Sequence, residues 1–175
     1  METGGFLGLL LTRKEDAENV TADDLHRTGT AARIVRRINL PDGGVNLIVN
    51  TLKRFRAIKF VSRETPIAAA AQYVEDTDFE GMEVQALTRS LLGKMKEIAE
   101  SNPLLTEQVR LDMVNIDQPG KLADFVTSIL NVKREDQQHV LETSNVRERM
   151  EHVLVFIEQE QELVKLQRKI QDQIN

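Results

Sequence analysis

Between Arg33 and Arg63 the chain carries Arg33, Arg36, Arg37, Lys53, Arg54, Arg56, Lys59 and Arg63 against the single acid Asp42. Cations clustered in this way neutralise phosphates, so the first chemistry to consider is a grip on nucleic acid. A sheet that reads single-stranded RNA also stacks bases on aromatic rings, and this stretch offers only Phe55 and Phe60. Strict alternation puts Phe55 with Ala57 and Lys59, and Phe60 with Ile58, Arg56 and Arg54, so neither face carries an aromatic platform. Basic side chains that keep the edges of an antiparallel sheet soluble explain the pattern with fewer assumptions.

Other constellations fail on spacing. A phosphate-binding loop ends in Gly-Lys-Ser/Thr, but Gly93-Lys94 is followed by Met95 and Gly120-Lys121 by Leu122. His26, His139 and His152 lack metal-ligand spacing, and neither H-E-x-x-H nor G-x-S-x-G occurs. Glu158, Glu160 and Glu162 lie on a polar helical stretch with Lys165 and Arg168 nearby, which makes them a solvated face rather than an acid/base pair. No catalytic, metal or cofactor residue is assigned, and no cofactor is expected.

The elements that position these residues change period along the chain. Up to about Asp78 the period is two. Strands are expected near Phe6 to Leu11, Thr30 to Leu40, Val45 to Leu52, Lys53 to Ser62 and Ile67 to Val74. Val45, Leu47 and Val49 then form a buried face, and Asp42-Gly43 supplies the hairpin turn. From about Glu80 the period is helical. Met82, Leu87, Leu91, Met95 and Ile98 make one stripe that ends before Pro103, and shorter helices are expected around Thr106 to Val114, Gly120 to Leu130 and Glu135 to Glu142. Asn145 and Glu148 form a capping box, and the helix they start runs uninterrupted for roughly 45 Å at 1.5 Å per residue. Its last turns carry Leu163, Leu166, Ile170 and Ile174 on a narrow stripe that nothing later in the chain covers, a candidate contact for assembly or for substrate. The expected fold class is α+β: a β-rich subdomain over residues 1–78, then a helical bundle with a long C-terminal helix over 79–175.

Composition sets the frame. With 175 residues, 41% hydrophobic and 29% charged, the chain has an ordinary globular composition, and its net charge of −5 argues against general polyanion binding. No cysteine is present, which fits a reducing compartment, and the cytoplasm is the expected location. The longest apolar run, Phe6 to Leu11, is far short of the about 20 residues a membrane helix needs, so no membrane partner is expected.

Four segments resemble the amino-terminal domain of the ATP-dependent Lon proteases: ADDLHRTGTAARI (Ala22 to Ile34), LPDGGVNLIVNTLKRFRAI (Leu40 to Ile58), GKLADFVTSIL (Gly120 to Leu130) and VLETSNVRERMEHVLVFIEQE (Val140 to Glu160). They follow one another in the family's order. The resemblance implies a PUA-like antiparallel β domain followed by a helical bundle and a long helix leading toward an ATPase module. It also implies a role in selecting unfolded or damaged protein and in supporting a homo-oligomer, with the ATPase and Ser-Lys peptidase modules elsewhere in the parent chain. The family's opening strand segment has no counterpart before Met1, so METGGFLGLLL is expected to enter the domain in midstream. Family members commonly have Gly where Thr51 stands, and the bend that Gly permits is expected to be altered here.

Two functions from different classes result. One is a non-catalytic domain for substrate recognition and assembly in a Lon-type protease. The alternative is an RNA-binding module that uses Arg33, Arg36, Arg37, Lys53, Arg54, Arg56 and Lys59, although specific nucleic-acid binding is the weaker expectation because fold analogy alone is poor evidence for function.

Overall fold

The computed structural model describes residues 5–16 and 18–175, so the Met1–Gly4 part of the opening segment lies outside the described residues. The chain divides into two compact units, one ending at Glu75 and one starting at Asp76. Its class is α+β. An antiparallel sheet of β1 (Phe6–Leu9), β2 (Thr28–Asn39), β3 (Val45–Ser62) and β4 (Ala68–Tyr73), in that spatial order, precedes the helices α1 (Met82–Ser101), α2 (Glu107–Asn115), α3 (Pro119–Ile129), α4 (Arg134–Glu142) and α5 (Val146–Ile174).

The hairpin turn forms where Asp42-Gly43 places it. Gly43 takes φ +87°, the Leu40 N–H donates to the Gly44 carbonyl at 2.8 Å, and the Asp42 carboxylate accepts the Gly44 N–H at 2.8 Å. The two strands expected on either side of Leu52 are one strand, β3. Thr51 pairs with Ala32 and Lys53 with Ala31, so Leu52 is an extra residue bulged from β3 and the strand bends there without leaving the sheet. Val45 and Leu47 are exposed rather than buried. The reason is geometric: among the described residues the β1 register reaches only Arg33 of β2 and the β4 register only Phe55 of β3, so no described strand flanks the outer hairpin.

A second bulge overturns the expected facing of the aromatics. Ala57 pairs with Ala71 and Lys59 with Ala70, which leaves Ile58 extra and shifts the alternation by one residue. Phe60 therefore returns to the face of Phe55 and Ala57, and these three, with Ala22, are the buried core of the β unit. Arg27 holds the bulge, its Nη1 donating to the Ala57 and Ile58 carbonyls at 3.2 and 3.1 Å. Its guanidinium also lies 5.6 Å from the Phe60 ring centroid, with that of Arg63 at 6.0 Å, both within cation–π range.

In the helical unit, α1 packs through Val84, Leu91, Met95 and Ile98; Met82, in its first turn, is 85% exposed and drops out of the expected stripe. These side chains join Leu122, Ala123 and Val126 of α3 and Val146, Met150, Val153 and Ile157 of α5 in one core. The start of α5 keeps half of the expected capping box: the Asn145 side chain accepts the Glu148 N–H at 3.0 Å, while its amide donates to Asp78 at 3.3 Å. The Thr77 N–H donates to Ser144 O at 3.0 Å and the Val146 N–H to Thr77 O at 2.8 Å, strapping residues 76–78 onto this helix end. The strap's Asp78 accepts from Arg147 Nε at 3.0 Å, and this bond, with Glu151 beside it, raises the already high pKa of that guanidinium.

Beneath the strap, the Arg149 side chain is wholly buried. It donates through Nη2 to Asp76 at 2.6 Å, through Nε to the Thr143 carbonyl at 2.9 Å and through Nη1 to the Gly120 carbonyl at 3.4 Å, with Asp124 3.6 Å away. Gly120 has no room for a side chain, because a Cβ there would collide with the Asp76 carboxylate and sit 3.0 Å from Arg149 Nη1. Removing one partner of a buried ion pair leaves an uncompensated charge, so Asp76→Ala is expected to lower unfolding stability by about 3 kcal/mol. Lys165→Ala, which breaks a largely exposed pair with Glu162, is expected to change it by less than about 1 kcal/mol. Urea denaturation of the two variants checks the contrast, and equal effects would contradict the anchoring role of Arg149.

Candidate functional site

The β unit carries an apolar groove of about 520 Å³. Buried Phe55 and Phe60 belong to its lining, Phe6 of β1 and Tyr73 of β4 stand exposed at it, and the small residues Gly8, Ala31, Ala69 and Ala71 leave backbone within reach of a ligand. Cross-strand partners share a face, and the pairs Gly8–Ala31, Gly29–Phe55, Ala57–Ala71 and Phe60–Ala69 bring these residues together. β1 pairs with β2 alone and β4 with β3 alone, so both strands that border the groove are sheet edges among the described residues. Beyond the groove, Val35, Ile38, Val45, Leu47, Ile48 and Leu52 add exposed apolar surface on the outer hairpin.

The basic residues do not converge. Lys53 and Arg33 fall on the Phe55 face, whereas Arg54, Arg56 and Lys59 pair with Thr30, Thr28 and Ala70 on the other. Arg36 and Arg37, opposite Ile48 and Leu47, point to opposite sides of the outer hairpin. Lys53 is engaged, forming an ion pair with Glu75 at 3.0 Å and lying 5.8 Å from the Tyr73 ring centroid. Phe55 and Phe60, at 6% and 8% exposure, present no stacking face.

Leu163, Leu166 and Ile170 do come together, on one face of α5, and are 46%, 55% and 48% exposed. Glu158 lies 3.8 Å from Lys94, and Gly93 and Gly120 lie inside helices, where no phosphate loop can form. His139 and His152 lie in tilted contact, their ring centroids 4.7 Å apart and their planes at 42°, and His152 Nδ1 is buried without a hydrogen-bond partner. Among the described residues no group of three or more His, Asp or Glu side chains could hold a metal ion, and no helix is long and apolar enough to cross a membrane.

Sequence reasoning missed the groove and Arg149. The groove's signal is the run of four small residues, Ala68 to Ala71, in a strand bounded by Ile67 and Tyr73. The signal for Arg149 is its place on the apolar face of α5, between Val146 and Val153.

Comparison with known proteins gives a consistent family. The sequence profile of the substrate-binding domain of the ATP-dependent protease La (LON) matches residues 1–159. The chain is 52% identical over 172 residues to a Lon protease of Treponema pallidum and 41% identical over 169 residues to one of Leptospira interrogans, covering 98% and 97% of this chain but 19% and 20% of those proteins. It thus spans about a fifth of the length of these curated relatives. The N-terminal domain of a Mycobacterium avium complex Lon protease superposes with a TM-score of 0.66 at 15% identity, covering 89% of this chain and 91% of that one, a likeness of fold.

With cations divided between faces and both ribbon aromatics, Phe55 and Phe60, buried, any RNA binding should be driven mainly by phosphate neutralisation. Affinity for single-stranded oligonucleotides is expected to be indifferent to sequence and to fall roughly tenfold or more between about 50 and 200 mM salt. Fluorescence anisotropy across the salt series checks this. A sequence-selective complex that persists at high salt would restore the RNA-binding alternative.

Proposed function

The chain belongs to the family of substrate-binding domains of the ATP-dependent protease La (Lon), and from that premise we propose that it recognises and holds unfolded or damaged protein for a Lon-type parent and supports assembly of that parent's homo-oligomer. In this reading the domain is non-catalytic and needs no cofactor. ATP hydrolysis and peptide-bond cleavage belong to modules elsewhere in the parent chain, which works in the cytoplasm.

The observation that carries the reading is the apolar groove between the two edge strands β1 and β4. Unfolded proteins share no sequence; what they share is exposed apolar side chains and an unpaired backbone. Burial of apolar surface, at about 25 cal/mol per Å², is non-directional and tolerates any sequence, and an edge strand adds main-chain hydrogen bonds to an extended segment. The groove supplies both. The stripe of Leu163, Leu166 and Ile170 is a different surface, with near-heptad spacing that suits another helix, and is assigned to assembly.

Replacing the exposed Phe6 and Tyr73 together by Ser should weaken capture of a fluorescent unfolded polypeptide by this chain roughly ten- to hundredfold, as expected when two partly buried aromatic contacts are lost. Replacing Leu163, Leu166 and Ile170 by Ser should leave that capture unchanged and weaken assembly of the full-length parent. A reversed pattern, with capture lost only in the helix variant, would move the substrate site to α5.

A further inference from the structure

The turn between α4 and α5 brings together two histidines that show no ligand spacing in the sequence. His139 stands in the last turn of α4 and His152 in the second turn of α5, with ring centroids 4.7 Å apart. Local bonds fix the backbone under both. Asn145 caps the start of α5 through the Glu148 N–H at 3.0 Å, and the Thr143 hydroxyl donates to the His139 carbonyl at 2.7 Å. Val140 and Val153, each next to one of the histidines, are buried in the core of the helical unit. The two backbone positions are therefore held, and only side-chain torsions are left to vary.

His152 Nδ1 is buried and has no hydrogen-bond partner. A buried polar nitrogen in that state costs free energy that a bond to it would recover. With its proton on Nε2, His152 is neutral and presents a lone pair at Nδ1, which is what a metal ion takes from an imidazole. A second nitrogen donor is at hand, because His139 is exposed and its ring can turn to admit an ion from solvent. The separation fits such a pair. Two imidazole nitrogens bound at about 2.1 Å to neighbouring positions of one ion, roughly 90° to 110° apart, place their ring centroids about 4.5 to 5.2 Å apart. Glu135 and Glu148, each four residues from one of the histidines on its own helix, add negative charge one turn away.

We propose that His139 and His152 chelate one divalent transition-metal ion of the Zn²⁺, Ni²⁺ and Cu²⁺ class, with water in its remaining positions. Imidazole nitrogen favours these ions over Mg²⁺, Ca²⁺ and Mn²⁺. Two protein ligands make an open, exchangeable site, in keeping with the absence, among the described residues, of a third His, Asp or Glu placed to complete it. The fold does not depend on the ion, whose binding adds a clasp across the α4–α5 turn. This inference goes beyond the substrate reading and stands independently of it.

The test uses the 175-residue chain without an affinity tag, in which His26 of the β unit, the one other histidine, is an internal control. Calorimetric titration with Ni²⁺ and with Zn²⁺ should show one ion per chain. With half the ligands of a closed zinc site, the dissociation constant is expected to lie roughly between 1 and 200 µM. His139→Ala, at an exposed position, and His152→Gln should each raise it roughly tenfold or more, while His26→Ala leaves it unchanged and Mg²⁺ does not bind. Affinity should fall as the pH is lowered, since protons compete for the same nitrogens. Substoichiometric Cu²⁺ should broaden the imidazole proton NMR signals of His139 and His152 together and spare those of His26. The His139 variant and these signals decide the question even if His152→Gln does not fold. Broadening of His139 alone, or a loss of affinity in one of the two variants only, indicates a single exposed imidazole and overturns the chelate. The absence of saturable binding up to about 1 mM Ni²⁺ and Zn²⁺ overturns it as well.

Discussion

A guanidinium without access to water is the constraint around which the helical unit is arranged. Arg149 loses its hydration, and the loss is offset only if its donors all find acceptors. Those acceptors come from separate segments: the carboxylate of Asp76 in the strap, the Gly120 carbonyl at the start of α3 and the Thr143 carbonyl before α5. Each segment is thereby held at one distance from α5. The same packing leaves no space for a side chain at position 120, and it fixes where α5 leaves the bundle and so which of its faces stays uncovered.

The β unit works by a different economy. Its buried core is small, formed by Phe55, Phe60, Ala57 and Ala22 with a few partly buried neighbours, and much of the remaining apolar surface lies open in the groove and along the outer hairpin. Such a surface is a liability in a domain that must only stay soluble. It is an asset in one that must hold chains with nothing in common but exposed apolar groups. The basic residues of the same strands divide between the two faces, and both ribbon aromatics, Phe55 and Phe60, are buried.

What could be read from the residues follows the strength of each local signal. The change from period two to helical period, the Asp42-Gly43 turn, the Asn145 cap and the placing of Leu163, Leu166 and Ile170 on one helix face were all legible, because each rests on neighbours in sequence. Facing within β3 was not. Alternation counts residues, and the bulge at Ile58 inserts one, so Phe60 lands on the face assigned to Lys59. Burial of Val45 and Leu47 was misread for a related reason: alternation shows that a strand has two faces but not whether another layer reaches them. The groove and the Arg149 cluster join residues dozens of positions apart, and no local pattern encodes such meetings.

The central claim is that the β unit holds extended protein segments along its open apolar face. Hydrogen exchange of this chain, alone and with saturating unfolded polypeptide, tests it at the level of single strands. The account predicts slowed exchange in Phe6–Leu9 and Ala68–Tyr73, the two edges beside the groove, with the last turns of α5 unchanged. Slowing confined to α5, or to the outer hairpin around Arg36 and Arg37 with both edges unaffected, would contradict it.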